Sequence, residues 1–438
     1  MNREQHLVDQ KIPLSICQER YLDLHRSNPD SYADNMPYIF HIQGKLNLYA
    51  LEQSLTEIQR RHSILRTIYS NATPYYQIVL PSTGFDFSLV DLCQEKATVD
   101  WQERVTNAWK KPFDLTKNTP LRCTVFQLKE QEYILSLTIH HIAYDFHSEN
   151  IFFREFEILY AGFSEGVKTQ TNTVNFQYKD FAIWQRQHRN SEAWFYKIQW
   201  WLKHLAAEPP TTTIPGDIPM PVSKGIADHY IQQALPLELV NNLHAFCKQN
   251  KVSLFVLLFS VFNLLIHKMT GETDIVIGVP LSTRNSLDLE RAIGVFAHNV
   301  ALRTNLSGIS TLTQLLKMTT NTVLSALKHR DVPVYSLPEL MPARNFKSNP
   351  FYKIRFNLLN IFYDKLQLLG TKMEEIPIIP ANNPDFGIAI RNAGTKGIKI
   401  DWNYDAGLYT KECVENWTIQ YQSLLEKMLN QPDAQLKN

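Results

Sequence analysis

The chain has 438 residues, with 44 Lys+Arg against 43 Asp+Glu for a net charge of +1; 44% of residues are hydrophobic and 20% charged. At roughly 100–200 residues per domain this length predicts two or three domains, each able to bury a core without a metal or disulfide staple. Near-neutral charge with no basic run gives no general pull toward phosphate backbones or anionic lipid, so neither nucleic acid nor membrane is an expected partner.

The five cysteines, Cys17, Cys93, Cys123, Cys247 and Cys413, are scattered and form no C-x-x-C pair. That argues against a zinc ribbon, a thioredoxin-type site or a secreted disulfide scaffold, and a reducing cytoplasm is the expected compartment. The first six residues are too polar to open a signal peptide. Glycine is scarce, 15 in all, and neither a phosphate loop nor a dinucleotide fingerprint is present, so the chain is expected to have no nucleotide or other cofactor of its own.

In chain order, Leu48–Arg61 carries apolar residues at 48, 51, 55 and 58, a helical stripe, and a second helix is predicted over Val99–Trp109. Tyr133–His141 reads as a strand, with Leu135, Leu137, Ile139 and His141 on one face and Ile134, Ser136, Thr138 and His140 on the other. A helix follows over Glu149–Gly162, ended by its glycine, then a polar linker and a Trp-rich helical region from Tyr178 to Leu205. Glu208–Lys224 holds five prolines in 17 residues and is the clearest linker. Beyond it, the apolar Val252–Lys268 is a buried helix, too short to span a bilayer, and leads into a strand at Asp274–Leu281. Helix-then-strand order in both halves predicts an α/β (α+β) fold with two lobes, residues 1–175 and 176–438.

The sharpest chemical signal is His140-His141-Ile142-Ala143-Tyr144-Asp145, where a strong strand gives out. Two imidazoles and a carboxylate at a strand end suit acid/base work, because the strand fixes the backbone while the loop opens to substrate. Two blander readings compete: histidines that only finish a strand, and a metal site of His140, His141, Asp145 and His147. Alternation works against the metal, since adjacent strand residues point to opposite faces. Gly162-Phe163-Ser164-Glu165-Gly166 matches G-x-S-x-G, but a helix precedes it where a strand is required. The two glycines read better as helix-stop and turn residues. Asp385-Phe386-Gly387 lacks the other parts of a kinase site. The stripe Trp184, Trp194, Tyr196, Trp200 and Trp201 reads as packed core or an interface between lobes.

At His140-His141-x-x-x-Asp145 the sequence resembles the condensation domains of nonribosomal peptide synthetases, whose signature is H-H-x-x-x-D-G. Further motifs follow in the family's order. Leu14 to Arg20 resembles S-x-A-Q-x-R, Arg61 to Thr67 resembles R-H-x-x-L-R-T, and Tyr178 to Trp184 resembles Y-x-D-F-A-x-W. Ile293 to Phe296 begins I-G-x-F-V-N-T, His329 to Pro333 resembles H-x-D-V-P-F, and Arg344 to Asn357 resembles R-x-x-x-x-N-P-L-F-x-x-x-F-N. The likeness runs from about Pro13 to Pro432, so no adenylation or carrier domain is expected within these 438 residues.

This resemblance implies two chloramphenicol-acetyltransferase-like lobes forming a V-shaped pseudo-dimer with a tunnel between them. It implies transfer of an acyl or peptidyl group from a carrier-protein thioester to an amine, or in some members a hydroxyl, without a covalent acyl-enzyme, as in antibiotic and other secondary-metabolite biosynthesis. The partners it implies are donor and acceptor carrier proteins, which bring their own phosphopantetheine, and neighbouring synthetase modules; a free-standing chain is expected to be a monomer. By position in the motif His141 is the general base or positioning histidine, His140 its structural support, and Asp145 a buried carboxylate paired with Arg284. Phe146, Ser148, His298 and Asn357, the last at the end of its strand, are the residues expected along the tunnel. Two positions depart from the pattern: Phe146 replaces the motif glycine, and His298 stands where the family has asparagine. The alternatives are a coenzyme A-dependent acyltransferase of the same fold and a catalytically silent module that docks carriers or tailoring enzymes.

Overall fold

The computed structural model describes residues 11–432 and 435, apart from 83, 95–99, 170, 172, 206–211, 219–227, 334, 336, 338–352, 361–365, 379–384 and 433–434. The chain forms two compact units that interleave in sequence: residues 1–190 with 284–296 and 363–381, and residues 191–283 with 297–362 and 382–438. The architecture is mixed α/β with three sheets, of three, five and six strands.

In the first unit the five-stranded sheet has the order Thr371–Ile376, Asn35–Gly44, Glu132–His140, Leu121–Lys129, Asp86–Asp91. Neighbours are antiparallel except the last pair, which is parallel. The central strand Glu132–His140 is covered on both faces, which explains its near-continuous apolar run. Leu135, Leu137 and Ile139 join the main core with Leu51, Leu55 and Ile58 of the Leu48–Arg61 helix and Phe152 and Phe156 of the next long helix. Ile134, on the opposite face, packs with Phe126 and with Val105 and Trp109 of the Trp101–Lys110 helix. The small sheet pairs Ile12–Pro13 and Thr67–Tyr69 with Tyr76–Val79.

Three expectations are corrected at the strand end and beyond. The strand stops at His140, because His141 opens a short 3-10 turn, His141–Ala143. The next helix starts earlier than expected and covers Phe146–Glu165, capped by the Asp145 side chain and closed by Gly166 at φ 69°. Gly162 therefore lies inside the helix and does not stop it; a Cβ there would sit 2.1 Å from the Thr169 methyl. The Tyr178–Leu205 region is two helices, Tyr178–His188 and Glu192–Leu205. Within it Trp194 and Trp201 are buried, while Trp184 and Tyr196 are 40% and 68% exposed. The first of these helices belongs to the first unit, where the Tyr178 hydroxyl bonds both Ser15 and the Val295 carbonyl and Phe181 packs on Phe296.

In the second unit the sheet order is Ala297–Asn305, Asp274–Ser282, Ile354–Asn360, Phe386–Asn392, Ile398–Asp405, Asp228–Ala234. Its central helix, Leu254–Thr270, buries Phe259 and Phe262 against Phe356 and is flanked by Leu312–Lys328 and Lys411–Asn430. Of the proline-rich linker only 212–218 fall among the described residues, and they form neither helix nor strand. Among the described residues no single helix is long and apolar enough to cross a membrane.

Candidate functional site

The strand Glu132–His140 delivers two adjacent imidazoles into different surroundings. Its end is pinned by backbone bonds from His140 to the Pro120 carbonyl (2.9 Å) and from His141 to the Asp34 carbonyl (2.8 Å). His140 is 3% exposed and lies edge-on to Phe113. Its Nδ1 accepts a hydrogen bond from the Ile142 amide (3.1 Å), which closes the turn. Burial, helped by the nearby His25 and His141, pushes its pKa down to about 3. His140 is thus a neutral structural acceptor at ordinary pH.

His141 is only partly buried. Its ring stacks on Tyr21, with centroids 4.9 Å apart and planes 22° from parallel. Nδ1 is buried and has no hydrogen-bond partner among the described residues, so it is not part of what this partly buried ring exposes. Proton transfer from this ring would therefore run through Nε2. Among the described residues no group of three or more His, Cys, Asp or Glu side chains could hold a metal. His147, weighed as a metal ligand, instead meets the Glu290 carboxylate at 3.0 Å.

Four residues further on, Asp145 caps the Phe146–Glu165 helix from a position 1% exposed. Its carboxylate takes two bonds from Arg284 (2.5 and 3.0 Å) and accepts from the Ser148 amide (2.9 Å), the Ser148 hydroxyl (2.7 Å) and the Phe296 amide (3.0 Å). Arg284 also donates to the carbonyls of Leu289 and Ala292 and lies 4.2 Å over the Phe296 ring. Burial raises the Asp145 pKa, but the Arg284 charge and these hydrogen bonds outweigh it and hold the carboxyl below its usual range. A buried ion pair persists only with its remaining polar valences satisfied, and here they are.

Ser148, expected along a tunnel, is fully buried in this network, with its hydroxyl bonded to Asp145 and the Gly294 carbonyl and accepting from Arg284 and the Gly294 amide. Phe146 is the half-buried first residue of the helix. His298 and Asn357 lie in the second unit. His298 is 6% exposed, with neither ring nitrogen in strict hydrogen-bond geometry to any of the described residues; burial lowers its pKa to about 4 despite the nearby Asp331 and the Arg330 and Val332 carbonyls. Asn357 stands mid-strand opposite Ala389, not at a strand end, because pairing continues to Asn360. Arg344, named in the last motif, lies outside the described residues.

Sequence reasoning missed Tyr21, which carries no motif signal of its own. It also gave no role to Gly294 and Phe296, although the I-G-x-F motif contains them.

Comparison with known proteins adds the family. The condensation-domain model matches residues 8–438. One of the linear gramicidin synthase polypeptides of Brevibacillus parabrevis is 31% identical over 98% of the chain. The chain spans 6% of that synthase polypeptide's length. Among solved structures, the condensation domain of the monacolin K polyketide synthase MokA is similar with TM-score 0.84 at 20% identity, covering 98% of this chain and 99% of that one. The X-domain in complex with OxyB from teicoplanin biosynthesis is similar with TM-score 0.83 at 25% identity, covering 97% and 95%. A strand-end histidine pair, an Asp145–Arg284 lock and a family match over nearly the whole length lead to one conclusion: the chain belongs to the condensation domain family of nonribosomal peptide synthetases.

Proposed function

We propose that this domain catalyses acyl transfer from a carrier-bound thioester to an amine or hydroxyl on an acceptor carrier, with His141 acting through Nε2. The observation that carries this reading is the division of labour at the strand end. His140 is buried and structural, Asp145 is locked to Arg284, and His141 is the partly exposed imidazole of the pair.

The chemistry asks for such a group. An α-amino group with a pKa near ~8 is largely protonated at neutral pH. As its nitrogen attacks the thioester carbonyl, an imidazole can accept the proton that must leave. Collapse of the tetrahedral intermediate breaks the C–S bond, and the proton passes to the departing thiolate. Holding both reactants in line can supply up to about 7–11 kcal/mol of the barrier.

The test is mass spectrometry of intact donor and acceptor carrier proteins incubated with the domain. Transfer with the wild type and its loss in His141→Ala, with unfolding unchanged, supports the reading; equal transfer in both overturns it. Running the same acyl group on coenzyme A separates out a coenzyme A-dependent enzyme.

A second reading, a docking module without turnover, is favoured by Phe146 at the motif glycine and by the likeness to the X-domain solved with OxyB. It predicts carrier or partner binding with no transfer for any matched pair.

A further inference from the structure

We infer that Tyr21 is a positioning residue: its ring holds the His141 imidazole in one orientation, so that Nε2 is aimed at the reacting group. The inference rests on the proposed role of His141, but it concerns how that ring is held.

A working histidine is ordinarily oriented through its second nitrogen, by a hydrogen bond to a carboxylate or carbonyl. Here Nδ1 is buried without such a partner among the described residues. The backbone bond from His141 to the Asp34 carbonyl fixes the main chain only. Torsion about the bond to an imidazole is broad and roughly two-fold, so the ring plane must be set by packing. The ring that packs on it is Tyr21, stacked at 4.9 Å and 22°.

Tyr21 is itself well anchored. It sits on the Ile16–Ser27 helix, whose start is fixed by a reciprocal capping box between Ser15 and Gln18. Gln18 bonds Gln77 at 3.1 Å, and Ser15 bonds the buried Tyr178 hydroxyl at 2.7 Å. The Tyr21 side chain packs against the main core of the first unit. The platform under His141 is therefore tied to the fold at several points. A flat ring can restrain the imidazole plane; an aliphatic side chain of similar bulk cannot.

The experiment uses the whole chain with ring-labelled histidine, the His141 resonances being assigned by their loss in His141→Gln. Tyr21→Phe keeps the stack and is expected to keep the ring-current shielding of His141. Tyr21→Leu is expected to abolish it, with Tyr21→Met used in its place should that variant not fold. Where transfer is measured, Tyr21→Leu is expected to lower kcat about tenfold or more, as misplacement of a reacting group does, while KM stays within about twofold and Tyr21→Phe stays near wild type. Unchanged His141 resonances in Tyr21→Leu overturn the inference, and so does lost shielding with unchanged kcat. The resonances report on the stack even if the domain transfers nothing. Failure of the proposed function and failure of this inference are thereby told apart.

Discussion

Arg284 and Asp145, 139 residues apart in sequence, meet in a two-pronged ion pair whose side chains are 1% and 2% exposed. The contact joins the turn that follows His141 to the 284–296 segment, and both partners also hydrogen-bond to backbone groups and to Ser148. Its effect is geometric. By fixing the first turn of the Phe146–Glu165 helix, it fixes where the His141 loop ends.

Removing one partner tests this. Arg284→Met leaves a buried carboxylate unpaired and is expected to cost about 3–5 kcal/mol, whereas the double variant Arg284→Met with Asp145→Asn should recover part of the loss. Urea unfolding at pH 7 measures both. A loss under about 1 kcal/mol for the single variant would mean that the pair behaves like an exposed one.

Acid sensitivity follows from His140. Its folded pKa of about 3 lies below the unfolded value of about 6.5. Between those values the unfolded chain binds the extra proton, so stability falls as pH drops through the window, by about 1.4 kcal/mol per pH unit for each such group. His204 and His298, both lowered to about 4 by burial, add to the upper part. Asp145 contributes later: its depressed pKa leaves its stabilisation intact above the unfolded value of about 3.9, to be lost as pH falls through the lower folded one. His140→Asn keeps an acceptor for the Ile142 amide and removes the titration. The slope of unfolding free energy between pH 6 and 4 should then shrink by about one proton; an identical slope would contradict the assignment.

The sequence was most legible where a pattern is local. The Leu48–Arg61 stripe gave its helix to the residue, and alternation in the central strand placed Ile134 opposite Leu135 and Leu137. It was least legible where long-range contacts override local signals. Gly162 looked like a helix stop because glycine commonly ends helices, yet Gly166 three residues after Phe163 does so, and Gly162 makes room for Thr169. Ser148 read as a tunnel residue because only the fold shows Gly294 and Arg284 converging on its hydroxyl. Tyr21 is a third case, since a stack between a helix and a turn 120 positions away leaves no periodic trace.

The two glycines make a paired prediction. A Cβ at Gly294 would lie 2.0 Å from Cδ2 of Tyr178, a fully buried ring held at its hydroxyl by Ser15 and Val295. That ring cannot yield, so Gly294→Ala is expected to destabilise by about 1–3 kcal/mol through overpacking. At Gly162 the nearest atom belongs to the half-buried Thr169 side chain, which can turn away. Gly162→Ala also gains helix propensity of about 1 kcal/mol, so its stability should stay within about that amount of wild type. Thermal unfolding of both variants measures the contrast, and equal losses would refute the packing argument.

Phe146 offers the most direct choice between an active condensation domain and a docking module. It is the first residue of the helix capped by Asp145, five positions after His141, and it is half-buried where the family motif has glycine. A side chain at this helix start contributes little to the helix itself, so Phe146→Gly should cost under about 1 kcal/mol. Its effect should fall on the reaction. If Phe146 limits the acceptor in a working enzyme, the variant should leave the smallest acceptor unchanged and raise the rate with a bulky one by about tenfold, the scale on which a filled pocket discriminates. If Phe146 silences the site, transfer should be absent in the wild type and appear only in the variant. Intact-carrier mass spectrometry across acceptors of increasing size reads both outcomes, and identical profiles for the two proteins would remove Phe146 from the site altogether.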